Sequence, residues 1–166
     1  MSPSSTVWFR PGADRDRVAL AGLLAGLTPR SSYSRFQTAL GPVPPGHVVD
    51  AMLPGGARGG SVLAWEGTEL VGHAEWVRLG PSTVAEIALV VADSHQGHGL
   101  GTALARHVVA IAGAHGIRRI EMFTAAGNTA IARMVRHLGT DVEKRREGPS
   151  VTYSFLVGGH AGATAA

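Results

Sequence analysis

Apolar positions along this chain recur with two different periods, and the switch between them marks its organisation. A short run at 6–10, "TVWFR", has the composition of a strand. Asp14 or Asp16 can then open a helix whose Leu20, Leu23, Leu24 and Leu27 fall on one face. "TPRSSYSRF" at 28–36 predicts a turn into a second short helix. "GPVPPG" at 41–46 and "LPGGARGG" at 53–60 are loop signals, with "HVVDAM" between them read as helical. From Ser61 the period drops to two. "SVLAWEGTELVGHAEWVRL" predicts two strands joined as a hairpin at Glu66-Gly67-Thr68. "STVAEIALVVA" at 82–92 is a third, nearly all apolar strand, expected to be covered on both faces.

The helical period then returns, with Leu100, Leu104, Val108 and Ile111 on one side and a stop near Gly116. "RRIEMFT" at 118–124 predicts a strand, "NTAIARMVRHLG" at 128–139 a helix, and two more strands reach Leu156. Residues 158–166 carry no pattern and are expected to be disordered. The order implies an α/β fold in one domain, residues 1–157: a mixed central sheet with helices on both faces.

Composition narrows the function classes. A chain of 166 residues, 45% hydrophobic and 16% charged, has the makings of a single folded soluble core. Cysteine is absent, so disulfides and thiolate chemistry are excluded, and a reducing cytoplasmic setting is expected. "VALAGLLAGL" at 18–27 is too short to span a membrane and no cleavage pattern follows it, so no membrane partner is expected. The net charge of +3 comes from scattered arginines with Lys144 as the one lysine, and "EKRRE" at 143–147 is flanked by acids. That pattern argues against nucleic acid as a partner and leaves a mild preference for a small anion.

The densest chemical signal is "VVADSHQGHGLGTALARHVVAIA" at 90–112, where Gly97, Gly99 and Gly101 stand between an apolar strand and a helix. Glycines there let a phosphate approach the free amides and positive dipole end of the helix. A P-loop would need Lys-Ser or Lys-Thr after its last glycine, and here Thr102-Ala103 follows Gly101. The dinucleotide pattern G-x-G-x-x-G has Thr102 in its third glycine position, and four residues separate strand from first glycine. Glu121 lies about where a ribose-binding acid would stand, which reads as coincidence given that register.

The stretch Gln96-Gly97-His98-Gly99-Leu100-Gly101 resembles the acyl-CoA pyrophosphate loop of the GNAT superfamily of N-acetyltransferases, Arg/Gln-x-x-Gly-x-Gly/Ala. "FRPGADRDRVALAGLL" is similar to the family's first strand and helix, "LVGHAEWV" to its central hairpin strand, and "NTAIARMVRHLG" to its final helix. "PRSSYSRF" is similar to the bacterial protein-lysine acetyltransferase branch. The resemblance runs from about Val7 to Phe155 and implies a mostly antiparallel GNAT sheet with acetyl-CoA as cosubstrate and an amine as acceptor. It implies that Gln96, Gly97, His98, Gly99, Leu100, Gly101 and Thr102 hold the pyrophosphate. Val90 and Val91, core residues in any reading, would pair with pantetheine like an added strand. Asn128 would contact the cofactor arm or serve as a helix N-cap.

An acceptor lysine, with a reference pKa of about 10.4, must lose a proton before attack. Glu86 is the candidate base. It is the one charge in its apolar strand, where desolvation would raise its pKa; the resembled branch usually has a glutamate base at this position. The alternative is a solubilising group at the wet end of the strand. His73 and Glu75 share a face of the preceding strand and are reserve candidates, read otherwise as a surface pair. His95 and His98 lack a third ligand, so no metal is expected. A backbone amide near Val90 or Val91 would polarise the carbonyl. Many family members protonate the leaving thiolate with a tyrosine, at the position held here by Val135; a thiol pKa of about 8.5 lets thiolate depart without one. The expected activity is acetyl transfer from acetyl-CoA to a primary amine, protein lysine ahead of small amines such as aminoglycosides. A non-catalytic acyl-CoA sensor and a nucleotide-binding module are the competing classes. Residues 28–60 are expected to wall the acceptor cleft.

Overall fold

The computed structural model describes residues 6–38 and 40–158. In chain order its elements are β1 (Val7–Pro11), α1 (Arg17–Ala25), α2 (Pro29–Phe36), α3 (Gly46–Ala51), β2 (Gly59–Glu66), β3 (Glu69–Arg78), β4 (Val84–Val91), α4 (Leu100–Ala114), β5 (Arg119–Ala125), α5 (Thr129–Met134), β6 (Gly139–Glu147) and β7 (Ser150–Val157). The expected disorder of the tail concerns residues that, beyond Gly158, lie outside the described ones.

The strands form one sheet in the order β1-β2-β3-β4-β5-β7-β6. Every neighbouring pair is antiparallel except β4 with β5. That parallel pairing is brief: Val84, Ala85 and Glu86 face Arg119, Ile120 and Glu121, and the two strands then part. The break positions the site described below.

The two faces of the sheet are covered by different helices. On one, α4 lays Leu104, Ala105, Val108 and Ala112 against Val62, Ala64, Ala74, Trp76 and Ile87, joined by Met134 and Val135. On the other, Leu20, Leu23 and Leu24 of α1 pack with Val49, Met52, Leu63, Trp65 and Val90. The entry into α1 is fixed electrostatically. Buried Asp16 accepts from the Arg10 guanidinium at 2.6 and 2.8 Å and from the Ala13 amide at 2.9 Å, which ties β1 to α1.

Two expectations change. β4 is not covered on both faces: Glu86 is exposed, while Ala88 and Leu89 are half-buried because no strand follows β4 beyond Glu86. The last helix is also shorter than its apolar pattern suggests. α5 ends at Met134 and the chain tightens into a single 3₁₀ turn, Val135–His137, before β6.

Leu104 is fully buried between α4 and the sheet. Leu104→Ala is expected to lower unfolding free energy by about 3 kcal/mol in a denaturant titration. Val18→Ala, on the exposed side of α1, should stay within about 0.5 kcal/mol of the parent.

Candidate active site

Two of the three loop glycines take a backbone conformation that favours glycine. Gly97 has φ +78° and Gly99 φ +84°, left-handed positions where a Cβ is strained. Gly99 precedes the first turn of α4 and brings no side chain to cap it. The first backbone bond into the helix runs from the Ala103 amide to the Gly99 carbonyl at 3.1 Å, so the earlier amides are left for another partner. Gly101 differs. It lies inside α4, and a Cβ there would stand 3.2 Å from the Met134 methyl and 3.5 Å from Leu89, so its smallness serves packing.

This helix start opens onto a cleft of about 650 Å³ between the parted strands. One wall is β4 from Ile87 to Val91 and the other is Met122, Phe123 and Thr124 of β5, with Asn128, Ile131 and Met134 below. Gln96, Gly97 and Gly101 stand at one end. The residues present therefore fit an anion with a long, partly apolar arm: free amides at the mouth, then an unpartnered strand edge. Val90 and Val91 line the cleft and each also belongs to the core on its side of the sheet. Gln96 Nε2 donates to the Val91 carbonyl at 3.0 Å, closing the loop onto the strand.

Asn128 is the N-cap of α5, its Oδ1 accepting from the Ile131 amide at 3.2 Å. Its Nδ2 donates to Thr124 Oγ1 at 2.9 Å, and the residue lines the cleft as well. His95 turns away from the loop: Nε2 meets Glu66 at 3.0 Å and Nδ1 meets Ser94 Oγ at 2.8 Å. His98 is exposed, and among the described residues no three His, Asp or Glu side chains gather as a ligand set. Val135 is buried in the core, so no side chain reaches the cleft from that position.

The sequence did not reveal the part played by α2. Residues 28–60 are expected to wall an acceptor cleft; of these, the N-cap Thr28 and Arg30, Ser31, Ser34 and Arg35 of α2 line the cleft onto which the loop opens. None of the residues of α2 is fully buried; Phe36 packs against the α1 cluster, and polar contacts fasten both ends. At its start the Asp93 carboxylate accepts from the Thr28 amide at 3.0 Å, Thr28 Oγ1 at 2.9 Å and Ser31 Oγ at 2.6 Å. Burial pushes that carboxyl upward, but these hydrogen bonds outweigh it and hold Asp93 below its ordinary value. Near its end Arg35 Nη2 donates to Glu75 Oε1 at 2.6 Å.

Glu86, the expected base, projects from the face it shares with Ala88 and Val90 and is exposed, so the desolvation invoked for it is missing. Glu75 has that environment instead. It is buried, and burial pushes its carboxyl up to about 7 against the pull of Arg35, with Glu86 adding to the rise. His73 is also buried, which moves its pKa down to about 4, and as a neutral ring it donates from Nε2 to the Met52 carbonyl at 2.6 Å. The surface-pair reading of His73 and Glu75 is therefore corrected, because α2 and the turn after α3 cover them. Register sets Glu75 opposite Ala88 and Glu86 opposite Glu121. Three carboxylates of three neighbouring strands thus share one face where the sheet parts.

Comparison with known proteins agrees with this geometry. Residues 31–140 match the model of the "Acetyltransferase (GNAT) family". Mycothiol acetyltransferase of Corynebacterium glutamicum is 34% identical over 82 residues, 49% of this chain but 28% of that protein, so the chain spans under a third of that relative's length. The crystal structure of the GNAT domain of S. lividans PAT superposes with a TM-score of 0.81 at 24% identity, covering 90% of this chain and 89% of that one. A cAMP-binding acyltransferase from Mycobacterium smegmatis has a TM-score of 0.62 at 23% identity, over 92% of this chain and 44% of its own. With a family match across most of its length, this chain belongs to the GNAT acetyltransferases, whose chemistry is acetyl transfer from acetyl-CoA to an amine.

Proposed function

We propose that the chain acetylates a primary amine, protein lysine before small amines such as aminoglycosides, with Glu86 as the general base. The observation that carries the reading is the uncapped start of α4 behind Gly97 and Gly99, opening onto a cleft walled by the β4 edge that β5 leaves beyond Glu86. Acetyl-CoA, a substrate of the reaction, brings an activated acyl group and a thiolate that departs readily. The loop residues Gln96 to Thr102 grip its pyrophosphate through backbone amides. Val90 and Val91 guide the pantetheine arm along the strand edge, and an amide near them polarises the thioester carbonyl.

The acceptor side is acidic. Glu86 and Glu121, with Glu75 beneath α2, draw a cationic amine to the break in the sheet. Glu86 is exposed there, so it takes the proton of the attacking amine directly or through one water. An open face suits a lysine presented on another protein better than a small amine, which gains from enclosure.

Titration calorimetry should detect acetyl-CoA binding, and its absence would remove this reading. Gly99→Ala places a side chain at φ +84° and should weaken that binding roughly 10-fold, given the ~1–2 kcal/mol strain of such a residue. Glu86→Gln should leave acetyl-CoA affinity intact and cut turnover roughly 100-fold or more at neutral pH, followed as thiol release with a lysine peptide. Full turnover in that variant would take the base role away from Glu86. Binding without acceptor-dependent thiol release, across lysine peptides and aminoglycosides, would make the domain an acyl-CoA sensor.

A further inference from the structure

Arg35 lines the cleft, and its ion pair with Glu75 behind it is the contact of α2 least explained by folding. A buried ion pair is a poor stabiliser compared with apolar residues of the same volume, and a half-satisfied one is worse. Here Arg35 Nη2 meets Glu75 Oε1, while Arg35 Nε and Glu75 Oε2 are buried with no hydrogen-bond partner. A guanidinium carries five N–H donors, so this one has capacity left over. Arg35 lines the cleft, and Glu75 lies opposite Ala88. That is three residues, about 10 Å of strand, from Val91 and the pyrophosphate loop. The pair therefore sits toward the thioester end, whereas Asp93, Thr28 and Ser31 fasten α2 at the phosphate end.

We propose that Arg35 donates a hydrogen bond to the carbonyl oxygen of the bound thioester, and that Glu75 is the positioning residue that holds the guanidinium there. The inference rests on the acetyl-transfer reading above. As the amine nitrogen bonds to the carbonyl carbon, the C=O π pair moves onto oxygen, where a fixed cation lowers its energy. The pair then returns to re-form the amide carbonyl as the C–S bond breaks, its electrons leaving on sulfur and the amine proton passing to Glu86. Removal of one such donor commonly costs about 10²- to 10³-fold in turnover.

Protonation of Glu75 loosens the clamp. Around it stand His73 on β3, Arg35 on α2 and Glu86 on β4, with Ser61, which does not titrate in this range, as its register partner on β2. Because burial raises Glu75 to about 7, the carboxylate that faces Arg35 is lost as pH falls through neutrality. The grip on Arg35 is strongest above that pH.

Infrared difference spectroscopy of acetyl-CoA labelled with ¹³C at the acetyl carbonyl reads the contact without turnover. In the wild type the bound carbonyl band should lie below its position in free acetyl-CoA and return toward it as pH falls through 7. In Arg35→Lys and Glu75→Gln the band should move back toward the free value while acetyl-CoA affinity stays within about 3-fold. Glu75→Gln should also lose the pH dependence of the band, and Glu75→Asp should keep part of the displacement. In kinetics, kcat should fall at least ~30-fold in Arg35→Lys with KM for acetyl-CoA nearly unchanged. A band equally displaced in wild type and both variants overturns the inference and leaves the acetyl-transfer reading in place. Should a variant fail to fold, the wild type decides alone: a bound band at the free position, in an enzyme that binds and transfers, overturns it. Absence of acetyl-CoA binding by the wild type removes both readings.

Discussion

The site depends on the early end of one strand pairing. β4 and β5 run parallel for three residues and then separate, leaving the β4 edge from Ile87 onward without a protein neighbour. A strand edge inside a fold must be satisfied by something, because buried backbone donors and acceptors without partners cost free energy. In this domain the gap opens onto the start of α4 and is roofed by α2, a helix with no buried residue. The fold has exchanged ladder hydrogen bonds for a surface that a linear, amide-bearing ligand can complete.

Such a gap needs rigid walls, and the two helices that frame it are held by different forces. α4 is anchored by apolar burial along its whole length, so the loop amides before it are presented from a fixed body. α2, beyond the packing of Phe36, is held by carboxylates, Asp93 at one end and Glu75 at the other. Hydrogen bonds hold the Asp93 carboxyl below its ordinary value, whereas burial brings Glu75 up to about 7, so the Asp93 end is the more constant of the two fastenings.

Most of the framework was legible because it is written in local periodicity. The strand-turn-strand at Gly67, the helix from Leu100 and the strand at Arg119 follow from alternation and from three- and four-residue spacing. The misreadings share a physical origin in neighbours distant in sequence. "STVAEIALVVA" reads as a strand covered on both faces, because an apolar strand beside a cleft has the same composition as one beside protein. Glu75 reads as a surface residue, since its burial is made by Arg35, 40 positions earlier and on an exposed helix. Glu86 reads as desolvated by its apolar neighbours, yet the parting of the strands exposes it. Gly101 belongs to the glycine motif by pattern, and the nearness of Met134 and Leu89, which a Cβ there would meet, adds a packing reason for glycine that the pattern does not show.

The parting of the sheet also sorts charge. One end of the cleft presents amides at the positive end of α4 together with Arg30 and Arg35 of α2, the side that suits the anionic donor of the proposed reaction. Glu86 and Glu121 lie where the strands separate, and their charge suits the cationic acceptor of the proposed reaction. Attack moves negative charge from the amine toward the thioester oxygen and then to sulfur, that is, from the acidic side toward the basic one. Val135 is buried and presents no acid to the cleft, so in the proposed reaction departure of the thiolate relies on this gradient and on its own modest basicity. Arg35 stands at the boundary between the two fields, restrained by a carboxylate of the acceptor side while facing the donor cleft. A cation at that boundary favours the charge distribution reached during transfer over the one before it, which is the condition for accelerating the step rather than merely binding the substrate.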